Sequence, residues 1–99
     1  MATGSVQRAL SDARSALPGP RVLRWGFNRP DALTVAGDDL FVANNFGNSV
    51  TELDISTGAL VRVVSGPAYR FNDPDALAVT SGDLFVANYA GNSVTEIRM

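Results

Sequence analysis

Apolar and polar positions along residues 27–64 fall into short apolar runs, each closed by turn-forming residues. Ala32–Ala36 ends at Gly37-Asp38, and Leu40–Asn44 ends at Asn45-Phe46-Gly47-Asn48. Val50–Ile55 ends at Ser56-Thr57-Gly58, and Leu60–Val64 ends at Ser65-Gly66-Pro67. Runs rich in β-branched and aromatic residues, bounded by Gly, Asn, Asp and Pro, predict strands joined by tight turns. Gly37-Asp38 is a hairpin signal in its own right. Connections this short permit only antiparallel neighbours, since a parallel crossover needs about a dozen residues or more. Leu33, Val35, Leu40, Phe41 and Val42 make nearly continuous apolar stretches, which predicts inner strands covered on both faces. Val61 and Val63 alternate with Arg62, which predicts an outer strand with one wet side.

The same pattern returns 44 residues later. Phe27–Ile55 set against Phe71–Met99 without a gap gives 19 identities in 29 positions. A fixed period of this size marks a repeat whose unit cannot bury its own faces. Four antiparallel strands in about 40–45 residues predict a β-propeller blade. A sandwich or barrel would have similar strand spacing but no reason for such self-similarity. The expected fold is therefore all-β: two four-stranded antiparallel blades, repeat 1 about 27–70 and repeat 2 about 71–99, the second lacking its outer strand. Residues 1–20 differ in kind. Val6, Ala9, Leu10, Ala13 and Leu17 fall at helical spacing and Pro18-Gly19-Pro20 stops the run, which predicts a leader that is a short helix or disordered.

Phe41-Val42-Ala43-Asn44, Gly47-Asn48-Ser49-Val50-Thr51-Glu52-Leu53-Asp54 and Thr57-Gly58 resemble the YVTN repeat and the related NHL-type β-propellers. Phe85-Val86-Ala87-Asn88 and Gly91–Ile97 repeat the match, so the resemblance covers about residues 27–99. It departs at Arg98-Met99, where Asp54-Ile55 stood in the first copy. The resemblance implies a ring of blades that serves as a binding or scaffolding surface. Relatives of this type are mostly longer, and many are exported.

Two blades do not close a ring. Arg21-Val22-Leu23-Arg24-Trp25 reads as a spare strand that could complete the final blade of a neighbouring copy, removing an exposed edge. If each open face exposes on the order of 500 Å² of apolar surface, covering it yields roughly 12 kcal/mol before association entropy is subtracted. The expected partner is therefore the chain itself, head to tail, or neighbouring blades of a longer protein, with a further protein partner at the ring.

Composition narrows the chemistry. The net charge is −2, with eight cationic residues, so there is no basic field to attract nucleic acid. No apolar run is long enough to span a bilayer as a helix. There is no Cys, which excludes disulfides and thiolate metal sites and leaves the redox compartment open; with no secretory signal the chain reads as cytoplasmic, or as extracytoplasmic if it is a piece of an exported protein. There is no His, the commonest general base and metal ligand.

In a propeller the loop entering a blade and the loop between its second and third strands share one rim of the channel. That places Asn28, Asp31, Asn44 and Asn45 together, with Asn72, Asp75, Asn88 and Tyr89 as the second set. Carboxylates and amide oxygens suit a hard cation, so Ca²⁺ at this rim is the sharp alternative to having no cofactor. The plainer reading is that each Asp pins the turn by accepting backbone N–H groups and each Asn supplies positive φ. Asn48 and Asn92 follow from the turn alone. Positions that differ between copies are Arg29/Asp73, Asn45/Tyr89 and Phe46/Ala90, and an exposed aromatic or Arg there could anchor a partner. Trp25 and Tyr69 align across the period and are expected to pack between blades with a polar tip. Glu52 and Glu96 are expected to be solvent-facing or paired, and no catalytic residue is assigned. The leading expectation is a non-enzymatic binding or scaffold module. The alternatives are a propeller-type hydrolase or lyase with a cation site at the rim, or a truncated piece of a longer propeller protein.

Overall fold

A computed structural model describes residues 19–99; the leader expected over 1–20 lies outside them except for Gly19 and Pro20. The chain is all-β. Strands β1 (Pro30–Ala36), β2 (Asp39–Asn44), β3 (Ser49–Asp54) and β4 (Leu60–Val64) form one antiparallel sheet in sequence order. A 3-10 turn, Pro67–Tyr69, leads to β5 (Pro74–Thr80), β6 (Asp83–Asn88) and β7 (Ser93–Arg98), a three-stranded antiparallel sheet. The sheets do not close into a barrel or ring.

Turn chemistry sets the register. The two-residue hairpins Gly37-Asp38 and Ser81-Gly82 turn through left-handed backbone at Gly37 (φ 59°), Ser81 (φ 52°) and Gly82 (φ 81°). They fix the pairs Ala36–Asp39 and Thr80–Asp83. From there Leu33 lies opposite Val42, and Leu77 lies opposite Val86. Each innermost strand starts at a proline whose next residue, Asp31 or Asp75, falls in a bulge outside the ladder.

Side-chain alternation then decides the packing. Phe41, Val50 and Val64 of the first sheet meet Leu84, Val86 and Phe71 of the second in one buried cluster. Leu77, Val79 and Ile97 flank it, and β1 lies against β5. Tyr69 stacks on Phe71 with ring centroids 5.5 Å apart, so this expected packing residue sits at the junction. Trp25 instead donates from Nε1 to the Gly58 carbonyl at 2.9 Å.

Three expectations are corrected. β2 is covered on both faces, with Phe41 and Val42 buried, but Leu33 and Val35 on β1 stand exposed. They lie on the face that points away from the second sheet. On β4, Val61 and Val63 are exposed as well as Arg62, and only Val64 is buried; Arg62 lies along the face of Val64 and reaches the buried Glu52 carboxylate at 2.6 Å. Residues 21–25 form no strand. They lie beside the outer face of the first sheet, where Leu23 and Phe27 share an open groove of about 410 Å³ with Leu33, Val42 and Leu53. Arg21 holds this segment in place by donating to the Thr57 carbonyl at 2.8 Å.

Candidate functional site

The two β-hairpin loops opposite the tight turns, 45–48 and 89–92, share one end of the molecule with the entry segments 28–29 and 72–73. Asn44 fastens this end in the first sheet. Its Oδ1 accepts the Asn28 N–H at 3.3 Å, while Nδ2 donates to Ser49 Oγ at 3.1 Å and to Thr51 Oγ1 at 2.9 Å. Asn88 repeats the arrangement with the Asn72 N–H, Ser93 and Thr95 at 3.2, 3.3 and 3.0 Å. Both amides are buried and occupied by the chain itself. These two candidates hold the loop end together through their side chains, not through positive φ. Left-handed backbone falls instead on Asn48 (φ 49°), Asn92 (φ 51°), Arg29 (φ 53°) and Asp73 (φ 54°).

The other candidates are arranged around these fasteners. The Asn45 N–H donates to the Arg29 carbonyl at 2.8 Å, and the Tyr89 N–H to the Asp73 carbonyl at 3.0 Å. Asn45 is buried, whereas Asn28 and Asn72 are exposed. Asp31 sits 3.6 Å from the Arg29 guanidinium, which lies 4.6 Å over the Phe46 ring. An arginine, not backbone N–H groups, is therefore the neighbour that balances Asp31. Asp75 is half-buried at the matching bulge. No hydrogen bond or ion pair joins Asp31 to Asp75 among the described residues, and none of them form a group of three or more potential metal ligands. At this end a polar contact crosses between the copies: Asn48 Oδ1 accepts the Asp73 N–H at 2.9 Å. At the tips, Phe46 and Tyr89 remain 60 % and 74 % exposed.

The opposite end carries a feature that strand prediction alone did not reveal. Asp39 and Glu52 share a face across neighbouring strands, and a carboxyl–carboxylate hydrogen bond to Glu52 raises the pKa of Asp39 above its ordinary value. In the second sheet the same pairing with Asp83 raises the pKa of Glu96. In the first pair an arginine from the fourth strand, Arg62, lies against the glutamate. The signal in the sequence is the recurrence of Asp and Glu at these positions, but it becomes meaningful only once the strand register is known. Nearby, the Ser56 hydroxyl donates to Asp54 at 2.6 Å and the Thr57 N–H at 3.0 Å, and together they lower the Asp54 pKa.

Comparison with known proteins adds a likeness to the solved structures. The fold is similar to a chain of Kuenenia stuttgartiensis hydrazine synthase, with a TM-score of 0.65 and 29 % identity. The match takes in 84 % of this chain and 23 % of the other, so the chain spans less than a quarter of the length of the protein it resembles. The shared sheets are propeller-like in part. No family model matches the chain, and no curated protein matches its sequence.

Proposed function

We propose that this chain is a non-enzymatic interaction module built from β-propeller-type blades of the YVTN/NHL kind, working within a larger ring of blades. The 44-residue repeat and the stacked antiparallel sheets support the blade reading. The observation that carries the functional reading is the pair of loop tips, Phe46 and Tyr89, exposed on a frame that Asn44 and Asn88 hold rigid. Exposed aromatics on fixed loops supply large contact area at small entropic cost, which is how recognition surfaces gain affinity. Arg29, Asp31 and Asp75 surround them with charge of both signs, suited to orienting a polypeptide partner. The chain has no His or Lys to activate a hydroxyl nucleophile, which argues against the hydrolase or lyase alternative.

Selection from a displayed random-peptide library tests this reading. Binders should be recovered, and Phe46→Ala with Tyr89→Ala should weaken them at least about tenfold without changing the thermal midpoint. Recovery of no binders, or of binders indifferent to both substitutions, would refute a recognition role for this rim.

A further inference from the structure

The two copies share one rim backbone and differ in the charge it carries. Arg29 and Asp73 occupy equivalent positions in the repeat, with φ at 53° and 54°. Their carbonyls accept equivalent N–H groups, from Asn45 at 2.8 Å and from Tyr89 at 3.0 Å. Asp31 and Asp75 likewise stand at the same bulge after the same proline. In the first copy this carboxylate is matched from within: the Arg29 guanidinium lies 3.6 Å from Asp31 and 4.6 Å over the Phe46 ring. In the second copy a further carboxylate replaces the arginine. Asp73 and Asp75 are both half-buried, and among the described residues neither forms an ion pair, not even with Arg70 three residues before Asp73. An aromatic ring is present here too, since Tyr89 is fastened to Asp73 through its N–H and stays 74 % exposed. Asn48 of the first sheet accepts the Asp73 N–H, and β5, which carries Asp75, packs against β1 and β2. The two carboxylates therefore lie at the junction of the sheets and not on an outer face.

We propose that the rim of the second copy docks an arginine side chain from a partner polypeptide, in the place that Arg29 fills from within in the first copy. The proposal rests on the interaction-module reading and names the residue type that the partner supplies. Charge complementarity selects it. Two carboxylates two positions apart repel each other, and a cation set between them turns that repulsion into attraction. A guanidinium fits better than an ammonium, because its edge meets carboxylate oxygens in pairs while its flat face stacks on a ring. Arg29 shows both contacts at once in the first copy. The site stays wet, so the attraction is modest and is screened by salt.

An NMR titration of the intact chain tests the proposal with two glycine-flanked peptides, one carrying a central arginine and one carrying citrulline, its neutral isostere. The arginine peptide should shift the amide signals of Asp73, Asp75 and Tyr89 and bind at least about fivefold more tightly than the citrulline peptide. Added salt should weaken the arginine peptide and leave the citrulline peptide unchanged. Asp73→Arg copies the first rim into the second, on a backbone conformation that Arg29 already adopts. It should keep the native spectrum elsewhere and lose the preference for arginine. Asp75→Asn should weaken the arginine peptide about threefold, whereas Asp38→Asn, which removes the same charge in the tight turn at the opposite end, should leave it unchanged. Equal affinity for the two peptides would overturn the proposal, as would an Asp73→Arg chain that still prefers arginine. Library-selected peptides that need Phe46 and Tyr89 but bind no better for containing arginine would overturn this proposal alone and leave the module reading standing.

Discussion

Asn44 Nδ2 lies 2.9 Å from Thr51 Oγ1, and this buried contact joins the entry of the first sheet to its second hairpin. Replacing Asn44 with Ala removes three hydrogen bonds and leaves the Asn28 N–H without its acceptor. Urea unfolding of Asn44→Ala should show a loss of about 2–3 kcal/mol, typical of stranded buried polar groups. A loss below about 0.5 kcal/mol would mean that water replaces the amide and that the loop end is not held this way.

The carboxyl pairs give stability a defined pH dependence. Asp39 and Glu96 are held above their ordinary values of 3.8 and 4.5, so the folded chain binds their protons more tightly than the unfolded chain does. Their contribution is fully present below those ordinary values and is lost as pH rises through the raised ones. Asp54, lowered from 3.8, runs the other way: its contribution is present above 3.8 and is lost as pH falls through the depressed value. Asp39→Asn and Glu96→Gln should therefore melt higher than wild type near pH 7 and converge with it near pH 3. Melting curves across that range check the sign, and a variant that melts lower at pH 7 would contradict it.

Arg62 and Glu52 form the other charged contact, with the arginine side chain half-exposed and the glutamate buried. Solvent around Arg62 screens part of the attraction, so Arg62→Ala should cost about 1–2 kcal/mol, less than a fully buried pair would. Arg62→Met should recover the part owed to packing but not the part owed to charge. Chemical denaturation of the two variants separates the contributions.

Gly47 is needed for room, since its φ is ordinary. A Cβ there would stand 3.2 Å from Asn28 Cβ and 3.3 Å from Asn44 Cβ, pushing on the fastened loop. Gly37 is different, with φ at 59° and nothing within 4 Å of a Cβ. Gly47→Ala should cost about 2 kcal/mol through overpacking, and Gly37→Ala about 1 kcal/mol through backbone strain. Asn28→Gly, which removes the nearest crowding Cβ, should relieve part of the Gly47→Ala cost and none of the Gly37→Ala cost, which a double-mutant comparison reads directly.

Strand identity was legible because three signals agreed: apolar runs, tight-turn residues and the 44-residue period. β2 and β6 recur with the same six residues, and the structure pairs both in the same register. Side-chain roles at the loop end were less legible. Asn44 and Asn48 are the same residue type four positions apart, yet one is a buried side-chain clasp and the other a left-handed turn residue. Only the placement of Ser49 and Thr51 on the facing strand separates them. Val61 and Val63 were misread for a related reason. Alternation along β4 predicts which residues share a face, but on this edge strand Val61, Arg62 and Val63 are all exposed and only Val64 is buried. The Asp39–Glu52 pair is invisible until the strands are aligned, since those residues are thirteen positions apart in the chain.

The bond from Asn48 to the Asp73 N–H runs in one direction only, from an earlier hairpin to the start of the next sheet. Errors should therefore travel downstream. Damage at Asn48 would free the Asp73 N–H at the start of the second sheet, while the buried cluster of Phe41, Val50, Leu84 and Val86 keeps the two sheets together. A chain fastened in this order is threaded like a zip, and synthesis from the N-terminus supplies each tooth before the one it must catch.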